Sequence, residues 1–554
     1  MYVRIVTSKQ KHGTYKSVQI VESYRDSKKS KHPITRVIAH LGQVDRLTDR
    51  DVDNIINGVC KAIGRPTDKE TTLECAWDFG HVFALIEIWK ELKIATILKQ
   101  KADRSGQSFD LETHIRLMVI NRVCDPRSKL ALLEWLEGVY LPGLDRDKID
   151  YHHLLRAMDW LIEHKQDIEL KIANRLLTLF DQEVDLVFYD ITSTYFEGDR
   201  SITTEDIRQY GYSRDHRPDR RQVVIGVVMT REGMPLCHHV FSGSTADKTT
   251  VVDVVRDLKE RFRFQRVIFV GDRGMLSEEN LEFLLSENLG FIVCHRLRRN
   301  NEIKRFITTT HEGLTQTKEQ YLEDQRDGVK FVMAYDPKIA SFLKKRREEA
   351  LTRADALIKD IRARLRRPSS RGRSLTPEGA LGQIRDYLKA RNLLRYYRLE
   401  FDSDQGLSVT SETHTRQWEN LIDGKLIVET TQLDIPPEEV IRRYKELQIV
   451  ERGFRCLKSS LKLRPIYHWN ERRIRAHVFI CVLALQLERA MTLRLHGLKI
   501  SSQTALEKLR QIKAGHARVN SVRTPVITTL TEEHKTIYRQ LNLPFPKITQ
   551  LQRL

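Results

Sequence analysis

Three acidic residues stand where the chain could build a site for a divalent cation. Asp190 follows the apolar run LVFY, Asp272 follows VIFVG, and Glu451 lies in the polar segment YKELQIVERGFRCLK. Carboxylate oxygens are hard ligands that suit Mg²⁺ or Mn²⁺, and cations held in this way support phosphoryl-transfer chemistry. Taken singly, each aspartate is explained equally well as an ordinary strand-end or turn residue, and Arg273 offers Asp272 a simple ion-pair partner.

The segments around the two aspartates predict a defined order of elements. Apolar runs predict strands at 185–196, 222–231, 235–242, 266–271 and 291–296, and apolar spacings of three and four predict helices at 249–262 and 278–288. Three strands followed by helix, strand, helix and strand is the order of a ribonuclease H-like α/β sheet. Its first and fourth strands are parallel neighbours, so we expect Asp190 and Asp272 side by side at their carboxyl ends.

The third acid is expected on a helix that runs from about residue 436 to 461. At 100° per residue, Tyr444, Leu447, Glu451 and Lys458 fall within about 60° of one another, with Arg455 at the edge of the stripe. Such a stripe suits a helix that supplies one metal ligand and several phosphate contacts. Considered alone, it is better explained as a solvated amphipathic face. Only its combination with the two strand acids and their element order favours the metal site.

The rest of the chain is expected to surround this catalytic unit. Residues 1–65 indicate a small β-rich region, and residues 66–182 a helical region that is either a DNA-binding unit or a packed bundle. The catalytic unit takes 183–296 and 425–490, an insertion takes 297–424, and helices are expected from 491 to 554.

The insertion carries a dense positive charge. Residues 344–373 hold 12 basic and 4 acidic side chains, a net charge of +8 (12 − 4). Apolar residues spaced by three and four, from Leu351 to Leu365 and from Leu381 to Leu388, predict an antiparallel helical hairpin with a basic surface. We expect this surface to follow the DNA backbone through Arg362, Arg364, Arg366 and Arg367.

Composition favours a polyanionic partner. The chain of 554 residues has 94 basic and 75 acidic residues, a formal charge of +19, which indicates nucleic acid before an anionic membrane surface. The longest apolar run, VFICVLALQL, has about half the length needed to span a bilayer and predicts a buried helix. Seven cysteines without a C-x-x-C pair fit a reducing cytoplasm.

Several motifs in order resemble a known family. The segments YDITSTYFEG, GYSRDHRPDRRQVVIGVVMTREGMPLCHHVFSGSTADKTT, VIFVGDRGM and YKELQIVERGFRCLKSSLKLRPIYHWNERRIRAH resemble those of DDE transposases of bacterial insertion sequences. The branch concerned has its third acid in a Tyr-x2-Arg-x3-Glu-x6-Lys signature. The resemblance covers 185–296 and 425–490 well, and the N-terminal segments more faintly.

The resemblance implies that Asp190, Asp272 and Glu451 form a triad that binds Mg²⁺ or Mn²⁺. Tyr444 and Lys458 fill signature positions that contact DNA, whereas Leu447 stands in the arginine position. The remaining candidate DNA contacts are Arg455, Arg452 and Arg273.

The resemblance also implies a reaction and partners. The protein would bind the terminal inverted repeats of its element, cleave there, and join the 3′ ends to target DNA, as a homodimer at the bacterial nucleoid in the cytoplasm. Three alternatives remain: a nuclease of the same fold that does not join ends, a catalytically inactive DNA-binding descendant, and a structural basic protein. The last explains the charge but not the order of the acids.

Overall fold

An eight-stranded mixed sheet forms the centre of the protein, and helices cover both of its faces. The computed structural model describes residues 1–10, 13–25, 33–64, 71–103, 106–179, 186–198, 206–262, 267–272, 277–298, 300–315, 317–366, 375–402, 406–519 and 522–551.

The N-terminal region is a three-stranded antiparallel sheet followed by one helix. Its elements are β1 (Tyr2–Gln10), β2 (Gly13–Tyr24), β3 (Ile34–Gln43) and α1 (Asp49–Ala62). Adjacent strands pair in chain order, as the alternating sequence pattern predicts. Helix α1 starts at a capping box. The Thr48 hydroxyl accepts a hydrogen bond from the main-chain N–H of Asp51, and the Asp51 carboxylate accepts one from the main-chain N–H of Thr48.

The next region is helical apart from one strand. Its elements are β4 (Thr71–Asp78), α2 (Gly80–Glu91), α3 (Ile94–Ala102), α4 (Leu111–Cys124), α5 (Ala131–Glu137), α6 (Tyr151–Glu163) and α7 (Lys165–Leu179). Helix α4 ends directly before Asp125, because a residue that precedes proline avoids the helical conformation.

The central sheet begins with five strands and two helices. These are β5 (Leu186–Tyr195), β6 (Gln222–Met229), β7 (Pro235–Ser242), α8 (Asp247–Glu260), β8 (Ile268–Asp272), α9 (Glu278–Ser286) and β9 (Gly290–Cys294). The spatial order is β7-β6-β5-β8-β9, antiparallel between β7, β6 and β5 and parallel between β5, β8 and β9. This order confirms the ribonuclease H-like prediction.

Residues 300–430 add three strands to that sheet and a helical hairpin. The elements are α10 (Asn301–Thr310), β10 (Gln320–Arg326), β11 (Val329–Tyr335), α11 (Pro337–Arg366), α12 (Pro377–Ala390), β12 (Tyr397–Asp402), β13 (Gly406–Ser411), α13 (Thr413–Ile422) and β14 (Lys425–Thr430). Strand β14 pairs with β9 and β11, and β10 pairs with β11 as the edge strand of the sheet. The predicted helical hairpin, α11 with α12, buries Leu351, Ile358, Ile384 and Leu388. A β hairpin of β12 and β13 packs on it, which the sequence pattern did not predict.

The C-terminal part mixes helices with a second small sheet. Its elements are α14 (Pro437–Lys445), α15 (Gln448–Lys458), α16 (Glu471–Leu495), α17 (Ser502–Leu509), β15 (Lys513–Val519), β16 (Val522–Ile527) and α18 (Glu532–Gln540). Strand β15 pairs with β16 and with β4, so the region of 491–554 that was expected to be helical also contains two strands.

Helix α16 contains the longest apolar run of the chain. Residues 478–487 are all buried, as the sequence predicts, and they pack against α4, α6 and the face of the sheet that α15 also covers. Within the described part of the chain, no helix is long and apolar enough to cross a membrane.

One buried carboxylate joins the helical region to the central sheet. Glu169 of α7 is 3% exposed, and its side chain accepts from Nδ1 of His238 at 2.6 Å and from the His238 main-chain N–H at 3.1 Å. It also pairs with Lys165 at 2.6 Å and with Arg261 at 2.8 Å. Burial alone would raise the pKa of Glu169, but these partners outweigh it and hold the pKa well below its usual range. Burial lowers the pKa of His238 to about 4, so its neutral ring donates from Nδ1.

Candidate active site

Asp190 lies within the central strand and not at its end. Strand β5 continues to Tyr195 in its pairing with β6, whereas its ladder with β8 ends at Phe188 and Val270. Val187, Tyr189 and Ile191 pack on one face of the sheet, and Phe188 packs on the other. Because side chains alternate along a strand, the half-buried Asp190 shares the face of Phe188, just past the end of the parallel ladder.

Asp272 is the last residue of β8, where its backbone pairs with Cys294 of β9. The partner of Phe188 is Val270, so Asp190 and Asp272 each lie two residues beyond a matched pair. The two aspartates therefore follow the end of the same parallel ladder at the same offset, on neighbouring strands that lie about 5 Å apart where they pair. The side chain of Asp272 and the whole of Arg273 lie outside the described residues.

Two consecutive helices carry the third acid to this pair of strands. Helix α14 packs against β8 and β9, and helix α15 packs against β5. Glu451 lies in the first turn of α15, directly after the chain has crossed from one strand to the other. Its side chain is exposed, and no hydrogen bond or ion pair joins its carboxylate to another described residue.

A glycine brings α15 close to the sheet near Glu451. A Cβ at Gly453 would lie 2.8 Å from Cε of Met229, so a larger residue there would require the Met229 side chain to move. Met229 pairs in register with Phe188, two residues before Asp190. Glu451 therefore belongs to a helix that is held on the same face of the sheet as Asp190.

The predicted single helix with one polar stripe differs from the structure. Residues 446 and 447 separate α14 from α15, and at this junction the Leu447 N–H bonds to the Tyr444 carbonyl three residues earlier. Leu447 is 7% exposed and belongs to the core, whereas Glu451 is exposed. Periodicity missed the break because the apolar side of both helices fits one continuous pattern.

The signature lysine is held by an acid from a distant loop. Lys458 Nζ lies 2.9 Å from Oδ1 of Asp215, and Arg464 lies 2.7 Å from Oδ2 of the same carboxylate. Asp215 is 8% exposed at its side chain. Burial lowers the pKa of Lys458, and Asp215 opposes that shift. Sequence reasoning did not single out Asp215 or Arg464, because no spacing links residue 215 to residue 458.

The other predicted DNA contacts fall into two groups. Tyr444 is partly buried against the core, and Arg362 donates to the Val409 carbonyl at 3.0 Å. Arg452, Arg455, Arg364 and Arg366 are exposed, although Arg364 lies 3.8 Å from Asp360. Arg367 lies outside the described residues.

The donor set suits a hard cation. Asp190 and Glu451 offer carboxylate oxygens on one face of the sheet, the ligand type that Mg²⁺ and Mn²⁺ prefer. A different group, Cys237, His239 and Asp257, has its possible ligand atoms within 4.8 Å of one another. Its Asp257 already pairs with Arg261 at 2.5 Å and with His239 at 3.2 Å, so a fixed guanidinium opposes a cation there. We interpret this second group as part of the structural network around Glu169.

Comparisons with known proteins match two segments of the chain. A family model described as the transposase DDE domain matches residues 186–487, which is more than half of the chain. A model described as the N-terminal domain of the IS1634 family transposase matches residues 3–71. No curated protein matches the sequence. A solved structure, titled as the cryo-EM structure of a piggyBac transposase synaptic complex with hairpin DNA, is 10% identical, with a TM-score of 0.36 over 80% of this chain and 82% of that chain.

Proposed function

The chain belongs to the DDE transposase family, and from this premise we propose that Asp190, Asp272 and Glu451 are its metal-binding catalytic triad. It is a DNA transposase, a metal-dependent enzyme that cleaves DNA. We further propose that it acts at the terminal inverted repeats of its own insertion sequence and joins the 3′ ends to target DNA.

The shared register of β5 and β8 is the observation that carries the triad. Asp190 and Asp272 follow the end of the parallel ladder between neighbouring strands at the same offset, and two carboxylates brought together there would repel each other unless a cation lay between them. Glu451 supports the assignment because it lies in the first turn of the helix that covers β5. The first turn of a helix is a favourable place for a negatively charged group, because the positive end of the helix dipole lies there.

The chain's residues would divide the work between metal binding and DNA binding. Bound Mg²⁺ or Mn²⁺ would supply Lewis-acid stabilisation of charge at the scissile phosphate. Asp190, Asp272 and Glu451 would hold the cation, and the pair of Lys458 and Arg464 would lie beside the strand that carries Asp190, where phosphates approach. Asp215 keeps these two cations in place.

Strand-transfer products test the proposal. Purified protein is incubated with labelled DNA that carries the ends of its element, a target plasmid, and Mg²⁺ or Mn²⁺. We expect joined products that disappear when the metal is chelated. Metal-dependent cleavage without joined products would contradict strand transfer and indicate a nuclease of the same fold. Binding without cutting would instead indicate an inactive descendant.

We propose that the basic hairpin of α11 and α12 follows the DNA backbone. Replacing Arg364, Arg366 and Arg367 by glutamate should make DNA binding less sensitive to salt. The slope of the logarithm of the association constant against the logarithm of the salt concentration is expected to become shallower by about 0.9 for each phosphate that the hairpin no longer neutralises. Arg362 is a poorer target, because its guanidinium is already bonded to the chain.

The control for this salt experiment is the charge reversal of Lys535 and Arg539. Both lie in α18, distant in sequence from the hairpin, and they make the same kind of change to net charge. An unchanged slope in the hairpin variant, or an equal change in the control, would contradict backbone tracking by the hairpin.

Assembly and location follow from the same proposal. Joining two ends requires two catalytic sites, so we propose a homodimer on double-stranded DNA. A protein that acts on an element in a bacterial chromosome would work in the cytoplasm at the nucleoid. The helical residues 66–182 are proposed to bind the element ends.

A further inference from the structure

Two loops form one surface around the end of β5. They are residues 206–221 and 464–469, and we call them together the tyrosine–arginine surface. Arg217 and Arg464, one from each loop, lie 5.2 Å and 4.9 Å from the ring centre of Tyr195 in β5. Arg208 lies 4.9 Å from the Trp469 ring. The contacts between the loops fix them to the strand that carries Asp190.

The first loop is also anchored directly to the strand. The Arg214 main-chain N–H donates to the Ser193 hydroxyl at 3.1 Å, and Asp215 bridges to Lys458 and Arg464. Ser193 is fully buried. The loop is therefore held in one position beside the candidate active site.

Exposed aromatic side chains concentrate on this surface. Tyr212 is 80% exposed, Tyr467 61% and Tyr210 49%. Of the six exposed phenylalanine and tyrosine side chains in the described part of the chain, these are three, and the others lie at Tyr2, Tyr24 and Phe342. Single exposed aromatics are ordinary, but three on two touching loops beside a catalytic strand are not explained by packing.

Cations flank the exposed rings. Arg214 lies 5.8 Å from the Tyr212 ring centre, and Arg221 lies 5.4 Å from that of Tyr210. Residues 206–221 contain five arginines and three aspartates, a net charge of +2 (5 − 3). Arg214 also pairs with Asp247 at 2.5 Å, and Arg217 with Asp219 at 2.8 Å. Exposed rings on a surface with a net positive charge are a combination that proteins use to bind single-stranded nucleic acid.

We propose that the tyrosine–arginine surface binds unpaired DNA next to the bond that is cleaved, with bases stacked on Tyr210 and Tyr212. This inference rests on the proposed transposase function, and it adds a residue-level role that the triad does not supply. Bases inside a duplex already stack on their neighbours, so only nucleotides that have left the helix can use these rings. The surface would stabilise strands that separate at the cleavage point.

Binding of simple probes by the full-length protein tests this inference. The probes are a labelled oligothymidylate of about 20 nucleotides and a mixed-sequence duplex of the same length, measured by fluorescence anisotropy. The variant is Tyr210→Ala with Tyr212→Ala, and since both side chains are exposed, the fold should persist. We expect about a tenfold weaker affinity for oligothymidylate, because the bases no longer stack on the rings, and less than a twofold change for the duplex.

Two further variants make the result specific. Tyr210→Phe with Tyr212→Phe keeps the rings and should retain the affinity for oligothymidylate, and Tyr2→Ala with Tyr24→Ala removes exposed tyrosines elsewhere and should leave both affinities unchanged. Equal losses on both probes, an unchanged affinity for oligothymidylate, or no binding of it by the wild type would overturn the inference. The outcome is separate from that of the strand-transfer assay, because neither probe carries an element end and no cleavage is measured.

Discussion

Replacing Glu451 by glutamine is expected to abolish DNA cleavage while the affinity for element ends stays within about twofold. The same result is expected for Asp190→Asn and Asp272→Asn. Each variant keeps the side-chain shape but removes the charge that holds the cation. Loss of the cation should slow cleavage by at least about a thousandfold, or about 4 kcal/mol of transition-state stabilisation. The rate is measured on labelled element ends with Mg²⁺ or Mn²⁺, and binding by anisotropy.

Glu438→Gln is the matched control for Glu451. Glu438 is an exposed glutamate in the first turn of α14, just as Glu451 is in the first turn of α15. It should cleave at the wild-type rate, because Glu438 lies at the end of α14 that is distant from α15, about two helical turns before the junction between them. Wild-type cleavage by any one of the three triad variants would remove that residue from the site. A parallel loss of DNA affinity would show that the carboxylate acts in folding or binding instead.

Replacing Glu169 by alanine is expected to lower the free energy of unfolding by about 3–5 kcal/mol, because it leaves buried cations without their counter-charge. Glu169 balances Lys165 and Arg261 and orients the neutral His238 ring. These contacts join α7 to β7 and to the arginine that follows α8, so the variant should loosen the helical region from the sheet. Urea unfolding followed by circular dichroism measures the change.

A surface ion pair on the preceding helix provides the control for Glu169. Glu163 pairs with Arg472 at 2.6 Å, but its side chain is 61% exposed. Exposed ion pairs contribute at most about 1 kcal/mol to stability. The free energy of unfolding of Glu163→Ala should therefore be close to that of the wild type. If Glu169→Ala also lowered the free energy of unfolding by no more than about 1 kcal/mol, the buried network would not be what joins α7 to the sheet.

The strands of the central sheet were predictable because each contains its own signal. The first strand was predicted at 185–196 and is observed at Leu186–Tyr195. The fourth was predicted at 266–271 and is observed at Ile268–Asp272. A strand buried on both faces needs a continuous apolar run, and such runs are visible in the sequence. The apolar spacing of the basic hairpin was equally visible, and its predicted residues are buried.

Features that depend on distant partners were not predictable. Strand β15 pairs with β4, which lies more than 400 residues earlier, and its short sequence has no marked alternation. Strands β10 and β11 belong to the central sheet through β14, although their position in the chain suggested a separate insertion. Pairing of this kind is chosen by packing and burial, which a single segment does not encode.

The sequence by itself determined the excess of positive charge and the strands and helices of residues 185–296, because each of those elements contains its own apolar signal. The triad of Asp190, Asp272 and Glu451 stays a prediction from the sequence. Only the tertiary structure decided that Lys458 is held by Asp215, that Leu447 is in the core while Glu451 is exposed, and that two loops assemble around Tyr195. These depend on which side of an element faces a partner far away in sequence. That choice is made by burial and charge pairing across the whole fold, and no local pattern records it.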